Sequence, residues 1–283
     1  MLKIGAHCYL FTDRFTDADL HFFDEVSELG MDCFELSSGD DVHFNAANTA
    51  AHAQKCGLDL ILGPGGLWPM DCDLSSEDPE EREKGLAWHI RQVELAAELN
   101  AIAYTGALYG HPGQINLSGP TDENYRWAAE GLNKLAERGH TLGCKLVIEP
   151  MSHFRSHMVN KPEQALDLLN QSDHDNLYIL LDTYHLVTEI TDYRKAILFV
   201  KEKLWGLHAC ENNRGCPGTG IIPWDDIWAA LKAINFESYI LLETYNSSID
   251  DFAKMRRMFH DVCPSGMDFS RQGLAFIKAG MSS

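Results

Sequence analysis

The chain has 283 residues, 45% hydrophobic and 23% charged, so it is long enough to bury a large core. Its 42 acidic residues outnumber 23 basic ones, and a net charge of −19 disfavours binding to nucleic acid or to an anionic membrane. The sequence has no signal-peptide pattern, no membrane-spanning apolar run and no CxxC pair. We expect a cytoplasmic protein with one domain over residues 1–283, of which 262–283 form a C-terminal extension.

Short apolar runs alternate along the chain with longer amphipathic stretches, a pattern typical of parallel α/β folds. The predicted strands are Lys3–Cys8, Cys33–Leu36, Leu58–Leu62, Ala101–Thr105, Lys145–Ile148, Leu177–Leu181, Leu204–Leu207 and Tyr239–Leu242. The predicted helices are Asp17–Leu29, Phe44–Cys56, Glu80–Leu99, Glu123–Leu142, Pro162–Leu169, Tyr193–Val200, Trp224–Ile234 and Ile249–Phe259.

Four of these helices end in a residue that suits a left-handed cap and then run directly into a strand. The four residues are Gly30, Gly57, Asn100 and Gly143. Eight strand–helix units in a chain of this length predict a single (β/α)8 TIM barrel. An open doubly wound sheet is the alternative, but no GxGxxG motif follows the first strand.

Four side chains that bind metals in other proteins stand at the ends of the last four predicted strands: Glu149, Asp182, His208 and Glu243. In a barrel these positions face one mouth, where three carboxylates repel each other unless a cation neutralises them. Three oxygen ligands and one imidazole predict one divalent metal ion, Mn²⁺ first, with Co²⁺, Mg²⁺ and Zn²⁺ as alternatives. Taken singly, each residue could instead serve a structural salt bridge.

The segments around these residues resemble a known family. Over Leu180–Thr244 the motifs LLDTYHLVTEI, HACENNRGCPGTGIIPW and YILLET follow one another, and VIEPMSHF stands upstream. The chain is similar here to the ketose 3-epimerases (D-tagatose or D-psicose 3-epimerases) of the xylose-isomerase-like TIM barrel superfamily. Before residue 140 the likeness is general.

The resemblance implies an isomerase of carbohydrate metabolism that uses the same four residues as metal ligands. His185 and Arg214 match residues that hold the carbonyl end of the sugar substrate. The implied mechanism is removal of the proton next to the ketose carbonyl, through a metal-bound enediolate. Glu149 and Glu243 would remove and return the proton on opposite faces of the carbon.

One position departs from the family. Six residues beyond the first ligand the family has a glutamate that contacts the sugar hydroxyls, and this chain has Arg155. Either the substrate carries a group such as a carboxylate or phosphate, or Arg155 points to solvent. Trp68 and Tyr109 lie in predicted strand–helix loops, where a flat ring could cover one face of a sugar.

Other polar residues near strand ends have two open roles. Glu35 closes the second strand and either contacts the pocket or makes a structural pair. His7, His111 and His153 could line the mouth, but a packed or loop position is favoured for each. The densest basic cluster, which includes Arg256, is expected on a solvated helix face.

Several functions other than epimerisation fit parts of this pattern. A lyase or dehydratase acting on a sugar acid or a related hydroxy-keto compound could use the same metal platform. A nuclease of the endonuclease IV type would need further histidine ligands and a basic face, and the charge of −19 opposes it. A catalytically silent sugar-binding barrel would not need both glutamates. Assembly is left open between a homodimer and a homotetramer.

Overall fold

The computed structural model describes residues 1–282, and its eight strands close into one parallel barrel in chain order. Every neighbouring pair is parallel, including the first and last strands. The strands are β1 Lys3–His7, β2 Cys33–Ser38, β3 Asp59–Pro64, β4 Ala103–Gly106, β5 Lys145–Ile148, β6 Leu177–Asp182, β7 Leu204–Ala209 and β8 Tyr239–Leu242. The predicted (β/α)8 barrel is confirmed.

Helices follow the strands around the barrel. They are α1 His21–Glu28, α2 Ala46–Cys56, α3 Pro79–Glu98, α4 Asp122–Leu142, α5 Pro162–Asn170, α6 Thr183–Leu186, α7 Tyr193–Phe199, α8 Trp224–Ala233, α9 Phe252–Met255 and α10 Gly266–Ser282. The four predicted caps are confirmed, since Gly30, Gly57, Asn100 and Gly143 have φ of +81°, +71°, +53° and +77°. Within residues 1–282, no helix is both long and apolar enough to cross a membrane.

The last helix differs from the prediction. A long helix over Ile249–Phe259 is wrong, because only the four residues of α9 are helical there and Asp250 and Arg257 have positive φ. The long helix is α10, which packs against β1, β8 and α8 through buried residues such as Phe269 and Ile277. The segment expected as an extension therefore carries the helix that covers the closure of the barrel.

The barrel interior is apolar at one level and polar at the next. The apolar level consists of Cys33, Ile61, Ala103, Val147, Leu180, Trp205 and Leu241. Side chains two residues further along a strand point to the same face, so they form the next layer towards the carboxyl ends. Six strands follow this spacing and place Glu35, Gly63, Thr105, Glu149, Asp182 and Glu243 in that layer. His7 of β1 and His208 of β7 complete it, and His208 lies three residues beyond Trp205 because the register between β6 and β7 is irregular. The apolar layer thus forms a floor beneath a polar ring.

We expect the Trp205→Ala substitution to lower the free energy of unfolding by about 3–5 kcal/mol, the usual cost of truncating a buried tryptophan. Trp205 is 4% exposed and stacks on Tyr239 with ring centres 4.8 Å apart. Urea unfolding followed by circular dichroism measures the change. The control Phe259→Ala, at a side chain 81% exposed, should cost about 0.5 kcal/mol or less. Equal effects of the two substitutions would show that the floor does not support the barrel.

Candidate metal and substrate site

The four predicted metal ligands lie together at the carboxyl ends of the strands. Donor atoms of Glu149, Asp182 and His208 all lie within 4.8 Å of one another, and Oε2 of Glu243 lies 3.6 Å from Nδ1 of His208. All four residues are buried, with exposed fractions of 8% or less. Each comes from a different strand, and closure of the barrel aims them at one point.

The imidazole of His208 is oriented by Glu35. Nε2 of His208 lies 2.7 Å from one oxygen of Glu35, whose other oxygen accepts a 2.6 Å hydrogen bond from Thr105. A carboxylate can only accept, so Nε2 carries a proton and Nδ1 faces Glu149, 3.3 Å away. Burial lowers the pKa of His208, but Glu35 and its neighbours raise it well above its ordinary value. Nδ1 is therefore a position that attracts a positive charge, either a proton or a metal ion.

Arg214 is a fully buried cation among these carboxylates. Its Nη1 donates a short hydrogen bond to Glu243. The same nitrogen forms an ion pair with Oδ2 of Asp182 at 2.9 Å, but that oxygen accepts no hydrogen bond. The guanidinium lies 4.2 Å from the ring centre of Tyr184. The backbone has a φ of +65°, which is uncommon for arginine, and Thr244 donates a 2.6 Å hydrogen bond to its carbonyl oxygen. The backbone of Arg214 is therefore strained, and the contacts of its guanidinium and its carbonyl oxygen hold it in this conformation.

His185 stands beside Arg214 as a neutral imidazole. Nη2 of Arg214 lies 3.2 Å from Nε2 of His185, and an arginine can only donate, so Nε2 is the acceptor. The Nδ1–H group then faces the hydroxyl of Ser152, 3.3 Å away. Burial first, and then Arg214, lower the pKa of His185 well below its ordinary value. The two residues predicted to hold the substrate both line the cavity above the carboxylates.

The positive charge of Arg214 and His208 does not fully compensate the three buried carboxylates Glu149, Asp182 and Glu243, and this leaves a deficit of positive charge. Burial raises the pKa of Asp182 to about 7 and also raises that of Glu149. For Glu243 burial acts in the same direction, but Arg214 and His208 outweigh it and lower the pKa. A divalent cation would offset this deficit, and three carboxylates with one imidazole suit a hard or borderline ion. The residues present therefore fit a divalent metal.

Comparison with known proteins agrees with this geometry. Residues 23–278 match the model of the xylose isomerase-like TIM barrel family. The chain belongs to this family.

Several relatives bear the names of ketose 3-epimerases. A D-psicose 3-epimerase of Agrobacterium fabrum is 29% identical over 227 residues, covering 79% of this chain and 78% of that protein. An L-ribulose 3-epimerase of Mesorhizobium japonicum is 27% identical, covering 100% of this chain and 95% of that protein. A solved structure of L-ribulose 3-epimerase gives a TM-score of 0.92 at 26% identity, covering 100% of this chain and 95% of that one. The predicted resemblance is confirmed.

The mouth of this xylose isomerase-like barrel continues outward into an open cavity. Trp68 lines it and stacks on Trp88 with ring centres 5.2 Å apart. Arg155 lines it as well, which favours the pocket over the solvent position for this residue. The prediction of a solvated Arg256 is wrong, because its guanidinium also lines the cavity and donates 2.6 Å hydrogen bonds to Tyr9 and to the carbonyl oxygen of Gly65.

Tyr109 does not cover a sugar face. It is fully buried behind the cavity, where its hydroxyl donates to the carbonyl oxygens of Glu149 at 3.0 Å and of Val159 at 3.1 Å. The sequence placed Tyr109 in the correct loop, but the direction of its ring depends on how that loop folds back against the end of β5. Its effect on the site is to hold the backbone of Glu149.

The remaining histidines separate in the same way. His7 lines the cavity, and burial lowers its pKa, so it is a neutral imidazole that accepts a 3.0 Å hydrogen bond from the backbone N–H of Tyr9. His111 is packed, with Nε2 3.0 Å from the carbonyl oxygen of Trp68. His153 is exposed and lies 2.6 Å from Glu189. The sequence suggested all three as residues of the mouth because each lies near a strand end. Only the folded loops show which of them lines the cavity.

We expect the Glu35→Gln substitution to weaken metal binding about ten- to hundredfold, because the amide can still accept from His208 but carries no charge. Titration of metal-free protein with Mn²⁺ by calorimetry measures the affinity. Glu189→Gln, at a carboxylate that pairs with His153 outside the site, is the control. An unchanged affinity for Mn²⁺ in Glu35→Gln would show that Glu35 does not contribute to metal binding.

Proposed function

We propose that this protein is a divalent-metal-dependent ketose 3-epimerase, an isomerase that inverts the carbon next to a ketose carbonyl. The observation that carries the proposal is the placement of Glu149 and Glu243. Their carboxylates lie 3.3 and 3.6 Å from the same nitrogen of His208, and they come from strands three positions apart around the barrel. The epimerase names of the relatives support it.

Epimerisation at one carbon needs one group to take a proton and another to return a proton on the opposite face. Glu149 and Glu243 approach the centre of the barrel from different sides, so a carbon held between them presents one face to each. One glutamate acts as the carboxylate base, and the other delivers a proton as the carboxylic acid. Reversal of the two roles gives the reverse reaction.

Glu149, Asp182, His208 and Glu243 would hold the metal ion. When bound, the divalent cation supplies Lewis-acid stabilisation of the negative charge that develops on the carbonyl oxygen. Glu35 keeps Nδ1 of His208 directed at the carboxylates. The apolar floor beneath the ring excludes water from that side, which strengthens the electrostatic interactions inside.

Arg214 and His185 orient the polar end of the sugar. Arg214 donates its hydrogen bonds from a position fixed by Glu243 and by its own backbone contacts. His185 is neutral, so it can donate or accept a hydrogen bond at a hydroxyl without adding charge. We assign Trp68 and Arg155 to the substrate wall, because both line the cavity.

The lyase or dehydratase alternative shares the removal of the proton but differs in the second step. It requires a proton donor at a departing hydroxyl, whereas epimerisation requires a second group on the opposite face of the same carbon. The placement of Glu149 and Glu243 favours the epimerase, and so do the names of the relatives.

We further propose Mn²⁺ as the native metal, supported by a donor set of three carboxylates and one imidazole. A cytoplasmic location, and assembly as a homodimer or a homotetramer, stay predictions from the sequence.

Removal of the metal by a chelator should abolish epimerisation and lower the melting temperature. An ion that binds only the folded chain stabilises it, by about 2.7 kcal/mol at a free concentration of 100 Kd. Scanning fluorimetry and a sugar assay before and after addition of Mn²⁺ measure both effects. The Asp182→Asn variant should lose the thermal response. A wild type whose melting temperature and activity ignore both chelator and Mn²⁺ would refute the metal site.

The Glu149→Gln and Glu243→Gln variants should each lose turnover by about a hundredfold or more, because an amide neither takes nor delivers the proton. The measurement is exchange of the proton at the epimerised carbon with deuterated water, followed by NMR. Glu237→Gln, at an exposed carboxylate paired with the N-terminus, is the matched control and should exchange at the wild-type rate. Wild-type exchange in both site variants would mean that another group moves the proton.

A further inference from the structure

Two arginines stand where the cavity opens to the outside. Arg155 and Arg256 line both the inner cavity and a shallow outer groove that continues from it, and we call this pair the arginine rim. Arg155 lies in the loop after β5, and Arg256 follows α9, so two separate loops bring these charges to one opening. The carboxylate ring lies at the other end of the same cavity.

The guanidinium of Arg155 is half-buried beside the cavity. Within residues 1–282 no side chain forms a hydrogen bond or an ion pair with its guanidinium. Its backbone is nevertheless fixed, because its N–H donates to Ser152 at 2.8 Å and its carbonyl oxygen accepts from Gly113 at 2.7 Å. A held backbone with an unpaired, half-buried guanidinium leaves five N–H donors available at the cavity.

Arg256 forms no ion pair with a carboxylate of residues 1–282, although the charge of Glu243 also acts on it. Its contacts are the hydroxyl of Tyr9, the carbonyl oxygen of Gly65 and three aromatic rings, none of which carries a negative charge. Arg14, in the outer groove, shows the contrast, since it pairs with both Asp13 and Asp41. In a chain of net charge −19, these are two arginines at one cavity opening whose charge no ion pair within residues 1–282 neutralises.

We propose, resting on the proposed epimerase function, that the substrate is a ketose bearing a terminal anionic group, carboxylate or phosphate, which the arginine rim binds. Both groups present the same chemistry, a set of anionic oxygens that accept charge-assisted hydrogen bonds from a planar guanidinium. Arg155 supplies the free donors, and Arg256 adds positive charge from a position fixed by Tyr9 and Gly65.

The charge distribution also determines how such a substrate enters. The arginine rim attracts an anionic group to the mouth of the cavity, whereas Glu149, Asp182 and Glu243 stand at its floor. An anionic ketose is therefore held with its charged end outward and its reacting carbon towards the glutamates. A neutral ketose has no such preference and leaves the guanidinium of Arg155 without an ionic partner.

A matched set of sugars tests the proposal and separates the two anions. D-fructose is the neutral member, D-fructuronate carries a terminal carboxylate, and D-fructose 1-phosphate and 6-phosphate carry a phosphate at either end. With the metal-loaded enzyme we expect kcat/KM for one anionic sugar to exceed that for D-fructose about tenfold or more. This advantage should shrink as salt is raised.

Substitutions then assign the preference to the rim. Arg155→Gln should lower the ratio of kcat/KM for the anionic sugar to kcat/KM for D-fructose about tenfold or more. Arg155→Lys should restore part of the loss, because it keeps the charge without the planar fork. Lys254→Gln removes one charge from α9 outside the cavity and should leave both substrates unaffected. Arg256→Gln, checked for an unchanged melting temperature, should act in the same direction as Arg155→Gln.

The outcomes distinguish this inference from the proposed function. If D-fructose is converted as fast as every anionic sugar, and the selectivity is unchanged in Arg155→Gln, the epimerase proposal holds. The proposal of an anionic substrate is then wrong. If no sugar exchanges its proton, the epimerase proposal fails. Calorimetry of sugar binding to the wild type and to Arg155→Gln then tests separately whether the arginine rim binds an anion. Binding of an anionic sugar that is lost in Arg155→Gln supports the rim, and equal binding of that anionic sugar by both proteins overturns it.

Discussion

The site depends on one constraint, the burial of four carboxylates at one level of a closed barrel. Glu35, Glu149, Asp182 and Glu243 are each 8% exposed or less, and Arg214 is the buried arginine set among them. Burying a carboxylate is costly unless a cation or a hydrogen bond compensates it. Burial raises the pKa of Asp182 and Glu149, which shows that the surrounding cations and hydrogen bonds compensate the charge of these two carboxylates only in part. A cation that binds here therefore contributes to folding as well as to chemistry.

Barrel closure is what allows the constraint to exist. An open sheet would spread its strand ends along a line, whereas eight strands in a ring aim theirs at one axis. The apolar layer two residues below the carboxylates keeps water from reaching them from beneath. Six of the strands contribute one packing residue and, two positions later on the same inward face, one residue at the site level. The strained backbone of Arg214 and the buried hydroxyl of Tyr109 add precision from the loops.

The cavity divides into two parts with different tasks. At its floor the carboxylate ring, His208 and Arg214 suit proton transfer next to a carbonyl. At its mouth Arg155 and Arg256 carry charge that the floor does not use. The two parts come from different structural sources, strand ends for the floor and loops for the rim. Loops can change without disturbing the packed core, so a barrel of this family can keep one chemistry and vary its substrate.

The sequence by itself determined the parts that depend on local pattern and position. Apolar runs predicted all eight strands, glycine and asparagine predicted four helix caps, and strand ends located the four candidate ligands. Only the tertiary structure decided the partnership of Glu35 with His208, the buried direction of Tyr109, the position of α10 and the meeting of Arg155 with Arg256. The physical reason is that alternation along a strand is a local property, with a period of two residues. The direction of a loop side chain is set by contacts with residues far away in the chain, such as the 247 positions that separate Tyr9 from Arg256.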